Sequence, residues 1–243
     1  DLGQQTYLDV LRSHPDRADS LYQDAIDALL LLQQRGVVFQ GKLPAYNRAM
    51  LKTEFGLFRE WLCERHLNIS FSAEEEAAWR RACDYLVDGA LSQPKVFVHR
   101  DFHSRNLMVT ETNNPGILDF QDAVEGPLTY DLVSLLKDCY IRLEETRVRA
   151  SVERFYDGLD TTTKNGETLE TFWTHFELMG IQRHLKAAGI FARLLHRDGK
   201  DGYMNDVPLV LEYIGEAAAR HAELAGLAAL ISERCMPALS RRV

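Results

Sequence analysis

The sequence lacks paired cysteines, a basic excess and any long apolar run, and each absence closes off a class of protein. Its four cysteines, Cys63, Cys83, Cys139 and Cys235, stand 20, 56 and 96 positions apart, with no CxxC pair and no Cys/His cluster of zinc-finger type. That usage predicts a reducing compartment, the cytoplasm. The formal net charge of -8 supplies no basic face for a polyanion, so nucleic acid is not an expected partner. No apolar run approaches the ~20 residues of a membrane-spanning helix. The longest, residues 28–32, sits inside an amphipathic pattern. The opening DLGQQTYLDVL has no initiator Met, no basic n-region and no apolar h-region, which predicts that residues ahead of it have been removed. What is present suffices for a core. The 243 residues are 46% hydrophobic, with three Trp, eleven Phe and nine Tyr, enough for one large domain or two small ones.

Most of the chain has helical periodicity. Over residues 16–34, Ala18, Leu21, Tyr22, Ala25, Ile26, Leu29 and Leu32 recur at three- and four-residue steps, and Gly36 is a stop signal. A second helix is predicted over residues 47–66, with Leu51, Phe55, Phe58 and Leu62 on one stripe, after a loop that Pro44 keeps out of helix. A third follows Ser72, an N-cap candidate with acidic residues in the first turn, and runs to about Leu91. Strand character is confined to KVFVH (residues 95–99) and to NLMV and GILDF, which flank a TETNNPG turn as a small hairpin. Helix returns after Asp131, with breaks near residues 158–166, at RDGKDG (residues 197–202) and around Pro208.

Within this helical frame, VFVHRDFHSRNLMVTETNNPGILDFQD (residues 96–122) carries the chemistry. His99, Asp101 and His103 at alternate positions admit two readings. A metal hydrolase would use them as ligands of zinc or iron, but it needs further ligands, and the remaining histidines sit singly with no HxH or HExxH pairing. A kinase catalytic loop accounts for more of the residues. His99-Arg100-Asp101 followed by Asn106 fits H-x-D-x-x-x-x-N, in which the Asp orients or accepts the proton of the acceptor hydroxyl and the Asn holds magnesium. A hairpin turning between Thr112 and Asn113 sets Asn106 opposite Asp119, so that two hard oxygen donors converge, the set that nucleotide-bound magnesium requires. LDF (residues 118–120) then stands for the kinase D-F-G, with Gln121 in place of the glycine. A second His-Arg-Asp, at residues 196–198, has Tyr203 where the Asn should be and reads as a solvated loop between helices.

HRDFHSRNLM, GILDFQDAVEGPLTYDLVSLL and DLGQQTYLDVL together resemble the aminoglycoside phosphotransferase family of kinase-like small-molecule kinases. Within that family the chain is most similar to the branch that phosphorylates the anomeric hydroxyl of N-acetylmuramate and N-acetylglucosamine in cell-wall recycling. The likeness extends to TEFGLFREWL and RDGKDGYMNDVPLVLEYI, so it covers essentially the whole chain. It implies an α+β fold, the mostly helical C-terminal lobe of a protein-kinase-like structure with a β-hairpin bearing the catalytic loop. Residues 1–4 would be the remnant of the hinge between lobes and residues 5–243 the substrate and catalytic lobe. It implies ATP and Mg2+ as cofactors and a small-molecule sugar and a nucleotide as partners; no membrane partner is expected, and the oligomeric state is left open. Asp101 becomes the catalytic base within its His99-Arg100 motif, and Asn106 and Asp119 become the magnesium ligands. Asp131 of YDL becomes a buried aspartate that steadies the loop, the alternative being an N-cap of the next helix. His103 is structural. Asp122 either supports the metal ligand or faces the substrate.

Sugar recognition requires polar groups around an apolar platform. Glu54, on the helix with Phe58 and Trp61, is the candidate, against the alternative of a solvated glutamate, and Arg48 and Tyr46 are further candidates. By the resemblance Asp1, Leu2 and Gly3 belong to the hinge whose backbone pairs with adenine. No GxGxxG, no GxxxxGK[ST] and no strand lysine for the phosphates is present. Residues 1–243 alone are therefore expected to have little or no kinase activity. An aminoglycoside or choline-like acceptor, or a non-catalytic scaffold, are the other readings.

Overall fold

The computed structural model describes residues 2–241. In chain order its elements are α1 (Tyr7–Ser13), α2 (Ala18–Gly36), α3 (Arg48–Leu57, continuing as a π-helix over Phe58–His66), α4 (Ala73–Leu91), β1 (Lys95–Val98), β2 (Leu107–Met108), β3 (Gly116–Ile117) and β4 (Val124–Pro127). Then follow α5 (Tyr130–Leu136), α6 (Glu145–Gly158), α7 (Thr161–Lys164), α8 (Leu169–Asp198), α9 (Val207–Ala218), α10 (Ala225–Ala229) and α11 (Met236–Ser240). Helix predominates among the described residues, and the strands form two small antiparallel pairs, β1–β4 and β2–β3, an α+β arrangement. The chain divides into two compact units. One comprises residues up to Tyr46 with Gln93–Phe176, the other Asn47–Ser92 with residues from Glu177 onward.

In the first unit α2 packs against β1, α5 and α6. Ala18, Leu21, Tyr22, Ala25, Ile26 and Leu29 are buried as their spacing predicts. Leu32 is only half-buried, and the stripe instead continues four residues after Leu29 at Gln33, whose amide donates from Nε2 to the Leu128 carbonyl at 3.1 Å. Gly36 closes the helix where it passes β1. Strand β4 had no signal in the sequence, because Gly126 and Pro127 suit a strand only when their partner is already in place. It pairs Val124 with Val98 and Pro127 with Lys95. Residues 44–46 run beside β4, with the Tyr46 N–H donating to the Glu125 carbonyl at 2.8 Å.

In the second unit α3 starts at the Asn47 N-cap, whose side chain accepts the Met50 N–H at 3.0 Å. Leu51, Phe55, Phe58 and Leu62 form the buried stripe. The sequence predicts one regular helix to residue 66, whereas the turns widen from Phe58, where Gly189 of α8 lies against the Leu57–Phe58 peptide. At the start of α4 the Ser72 hydroxyl accepts the Glu75 N–H at 3.2 Å and the Glu75 carboxylate accepts the Ser72 N–H at 2.7 Å, a reciprocal cap. α8 ends at Asp198, and Pro208 occupies the first turn of α9, where a proline has no hydrogen bond to lose. Among the described residues, no helix is long and apolar enough to cross a membrane.

Candidate active site

The loop between β1 and β2 contains His99, Arg100, Asp101, His103 and Asn106, all within the first unit. It is wound tightly by its own backbone. The His103 N–H donates to the Asp101 carbonyl at 3.1 Å and the Asn106 N–H to the His103 carbonyl at 2.9 Å. The Asn106 side-chain Nδ2 adds a donation to the Asp101 carbonyl at 3.1 Å, which leaves its Oδ1 as the acceptor of that amide. Arg100 takes a left-handed φ of 77°, a conformation that a residue with a Cβ holds only where its surroundings impose it.

Those surroundings begin with Asp131. Fully buried in the first turn of α5, it accepts the His99 N–H at 2.6 Å and the Arg100 N–H at 2.9 Å, one on each carboxylate oxygen. The N-cap of that helix is Thr129, not Asp131. Asp101 itself is half-buried, and its N–H donates to Nδ1 of buried His99 at 3.3 Å. Burial lowers the His99 pKa and outweighs Asp101, the Leu118 carbonyl and Asp119, which favour the protonated ring. A neutral ring is what an Nδ1 acceptor requires. His103 is buried edge-on to Tyr140, with ring centroids 5.4 Å apart. Among the described residues no three His, Cys, Asp or Glu side chains are grouped to hold a metal, so the alternate spacing of His99, Asp101 and His103 does not gather them into a cage.

The hairpin register differs from the sequence expectation by one residue. Leu107 pairs with Ile117 and Met108 with Gly116, so the partner of Asn106 is Leu118, whose N–H reaches the Asn106 carbonyl at 2.9 Å. A turn one residue shorter on its second arm produces the shift. Asp119 lies one step further, at a φ of 66° that turns it out of the strand line. It is exposed, and its Oδ1 accepts from the Gln121 amide. Asp122 is exposed nearby, and Phe120 between them is 69% exposed. The N-terminal segment runs along the same hairpin. The Val109 N–H donates to the Gln5 carbonyl at 2.9 Å, and Thr6 bridges to Met108. Gly3, at φ 85°, approaches so closely that a Cβ there would stand 2.8 Å from the Val109 carbonyl oxygen, and Leu2 packs over Gly116. Asp1 lies outside the described residues.

Of the sugar-recognition candidates, Tyr46 is buried in the first unit, and Glu54 and Arg48 belong to the second. Glu54 is buried rather than solvated, accepting from Gln182 Nε2 at 2.7 Å and standing 3.5 Å from Lys186 Nζ. Arg48 is exposed and paired with Asp88 at 2.6 Å and Asp84 at 3.7 Å. The second His-Arg-Asp ends α8, where exposed Arg197 and Asp198 pair with each other. Sequence reasoning missed Asp138. Buried just after α5, it accepts the Ser104 N–H at 2.9 Å and the Tyr140 N–H at 3.0 Å. Its one signal was an acidic residue two positions beyond the mostly apolar run LVSLL (residues 132–136).

A mostly helical α+β chain with this loop falls in the class of phosphotransferases. Residues 1–165 match APH, the Phosphotransferase enzyme family, and the chain belongs to that family. It is 49% identical over 236 residues to an N-acetylmuramate/N-acetylglucosamine kinase of Pseudomonas aeruginosa, covering 96% of this chain and 68% of that protein. Proteins of the same description from Pseudomonas putida and Neisseria meningitidis are 46% and 43% identical, over 96% of this chain in both cases and 68% and 70% of theirs.

Proposed function

We propose that the chain forms the catalytic part of an ATP-dependent kinase that phosphorylates the anomeric hydroxyl of an N-acetylated amino sugar, N-acetylmuramate or N-acetylglucosamine. The observation that carries this reading is the Asp101 turn, anchored from below by Asp131 and closed by the Asn106 amide. The relatives named for these sugars supply the acceptor. Asp101 orients the sugar hydroxyl and takes its proton. The freed oxygen forms a bond to the γ-phosphorus as the bond from that phosphorus to the β,γ-bridging oxygen breaks, and ADP leaves with the electron pair. Asn106 Oδ1 and the Asp119 carboxylate are hard oxygen donors that fit a magnesium ion completed by phosphate and water oxygens. That ion would supply charge neutralisation on the phosphates. Leu2 and Gly3 are proposed to offer backbone groups to adenine.

In this reading residues 1–4 are the hinge between lobes and residues 5–243 the C-terminal lobe of a kinase-like fold working in the cytoplasm. Positioning and charge neutralisation provide most of phosphoryl-transfer catalysis. Without a glycine-rich loop or phosphate lysine, residues 1–243 alone turn over little or no ATP. The test is phosphorus NMR of the intact source protein with magnesium ATP and N-acetylmuramate, N-acetylglucosamine, an aminoglycoside or choline. A sugar-1-phosphate signal that disappears in Asp101→Ala supports the reading. Transfer only to another acceptor moves the assignment to that acceptor, and no transfer to any overturns it in favour of a scaffold.

A further inference from the structure

Asp131 holds the residues immediately before Asp101, and a second carboxylate holds the residues after it. Asp138 Oδ2 accepts the Ser104 N–H at 2.9 Å while its Oδ1 accepts the Tyr140 N–H at 3.0 Å, and the whole residue is buried. The Ser104 carbonyl accepts the Leu8 N–H of α1 at 3.0 Å, so the backbone at Ser104 is fixed through both its N–H and its carbonyl. The two carboxylates sit at opposite ends of one strut. Every residue of α5 is buried, with Asp131 in its first turn and Asp138 just beyond its last residue, Leu136. Hydrogen bonds to a carboxylate are shorter and stronger than those between neutral groups, and they fix direction as well as distance. Between the two anchors lie Asp101, Phe102 and His103, and Arg100, held by Asp131, keeps its left-handed conformation at one end of that span.

We propose that Asp138 is a positioning residue. With Asp131 it clamps both shoulders of the turn, and so it sets the direction in which the Asp101 carboxylate meets the acceptor hydroxyl. The inference rests on Asp101 being the base of a phosphoryl transfer, as assigned above. Asp138 acts through the Ser104 peptide and touches neither substrate. Its loss therefore disturbs the aim of the base and leaves nucleotide and sugar affinity in place.

The test is made in the intact source protein with magnesium ATP and whichever acceptor the wild type phosphorylates. Asp138→Ala is expected to lower kcat by about 100-fold, the penalty of a base displaced by about 1 Å, with KM for both substrates within about threefold of wild type. Asp138→Asn keeps one acceptor oxygen and is expected to restore part of that loss. Amide hydrogen exchange at Ser104 is expected to quicken in the alanine variant. Should Asp138→Ala not fold, Asp138→Asn carries the test through the same split between kcat and KM. A folded variant with faster exchange at Ser104 and unchanged kcat overturns the inference and leaves the site assignment standing. A rise in KM with kcat unchanged overturns it as well. No transfer by the wild type to any acceptor removes the site assignment and this inference with it.

Discussion

Gly36 ends α2 directly against Phe97 of β1, so closely that a Cβ on Gly36 would stand 2.4 Å from the Phe97 Cβ. The strand it touches leads within two residues into the loop from His99 to Asn106. Gly36→Ala has to push helix and strand apart, because the obstacle is the root of the Phe97 side chain and no rotamer removes it. We expect a loss of about 1–3 kcal/mol of stability, the usual penalty of overpacking. Urea denaturation of the intact source protein checks this, and an unchanged midpoint would show that the two elements separate freely.

Removing Asp131 acts on the loop itself. Asp131→Ala leaves the His99 and Arg100 N–H groups without their acceptor at the foot of the turn. Leaving a buried donor unpaired costs about 1–3 kcal/mol for each group. The expected outcome is a large drop in melting temperature together with loss of transfer. Asp131→Asn retains one acceptor but presents an NH2 to the other N–H, and it should fall between alanine and wild type in both measurements.

The sequence reveals what is local. The apolar stripes of α2 and α3, the Ser72 cap and β1 depend on periods and spacings within a few residues, and, Leu32 of α2 apart, they stand in the structure. The residues from His99 to Asn106 are legible for the same reason, since one short loop contains them. What depends on distant partners was not legible. Strand β4 exists because β1 is there to pair with it. Asp138 accepts from Tyr140 two residues on, but its second partner, Ser104, lies 34 residues earlier, and no local spacing signals that contact. The hairpin register slipped by one because turn length, not strand pattern, decides it over strands of two residues. Glu54 was undecidable because the Gln182 that makes its burial tolerable lies on α8.

The Ser72–Glu75 cap predicts a pH dependence. The Ser72 N–H and Arg234 hold the Glu75 carboxyl below its ordinary value of 4.5 in the folded protein. A depressed folded pKa means that the unfolded chain takes up the proton first as the pH falls. The stabilisation from Glu75 is therefore complete above about pH 4.5 and is lost as the pH drops through the folded value. Glu75→Gln keeps an acceptor for the Ser72 N–H and removes the titrating charge. Between pH 5 and 3 its denaturation midpoint should fall less steeply than that of wild type, and parallel curves would rule out this contribution.

Asp119 and Asp101 should separate binding from transfer. Asp119 is exposed just beyond β3, so its carboxylate is open to a metal–nucleotide complex, whereas Asp101 is half-buried and its carbonyl accepts from the Asn106 amide. A magnesium ligand acts on the phosphates before any bond changes, and a base acts only on the acceptor hydroxyl. In the intact source protein, Asp119→Ala is expected to abolish the magnesium-dependent part of ATP binding and weaken affinity at least tenfold, read by calorimetry with and without magnesium. Asp101→Asn is expected to bind magnesium ATP within a few-fold of wild type while transfer falls by about 100-fold or more, in the range known for loss of a general base. If Asp101→Asn lost nucleotide binding and Asp119→Ala retained it, the two roles would have to be exchanged. The carboxylate at the foot of β3 would then belong to the acceptor.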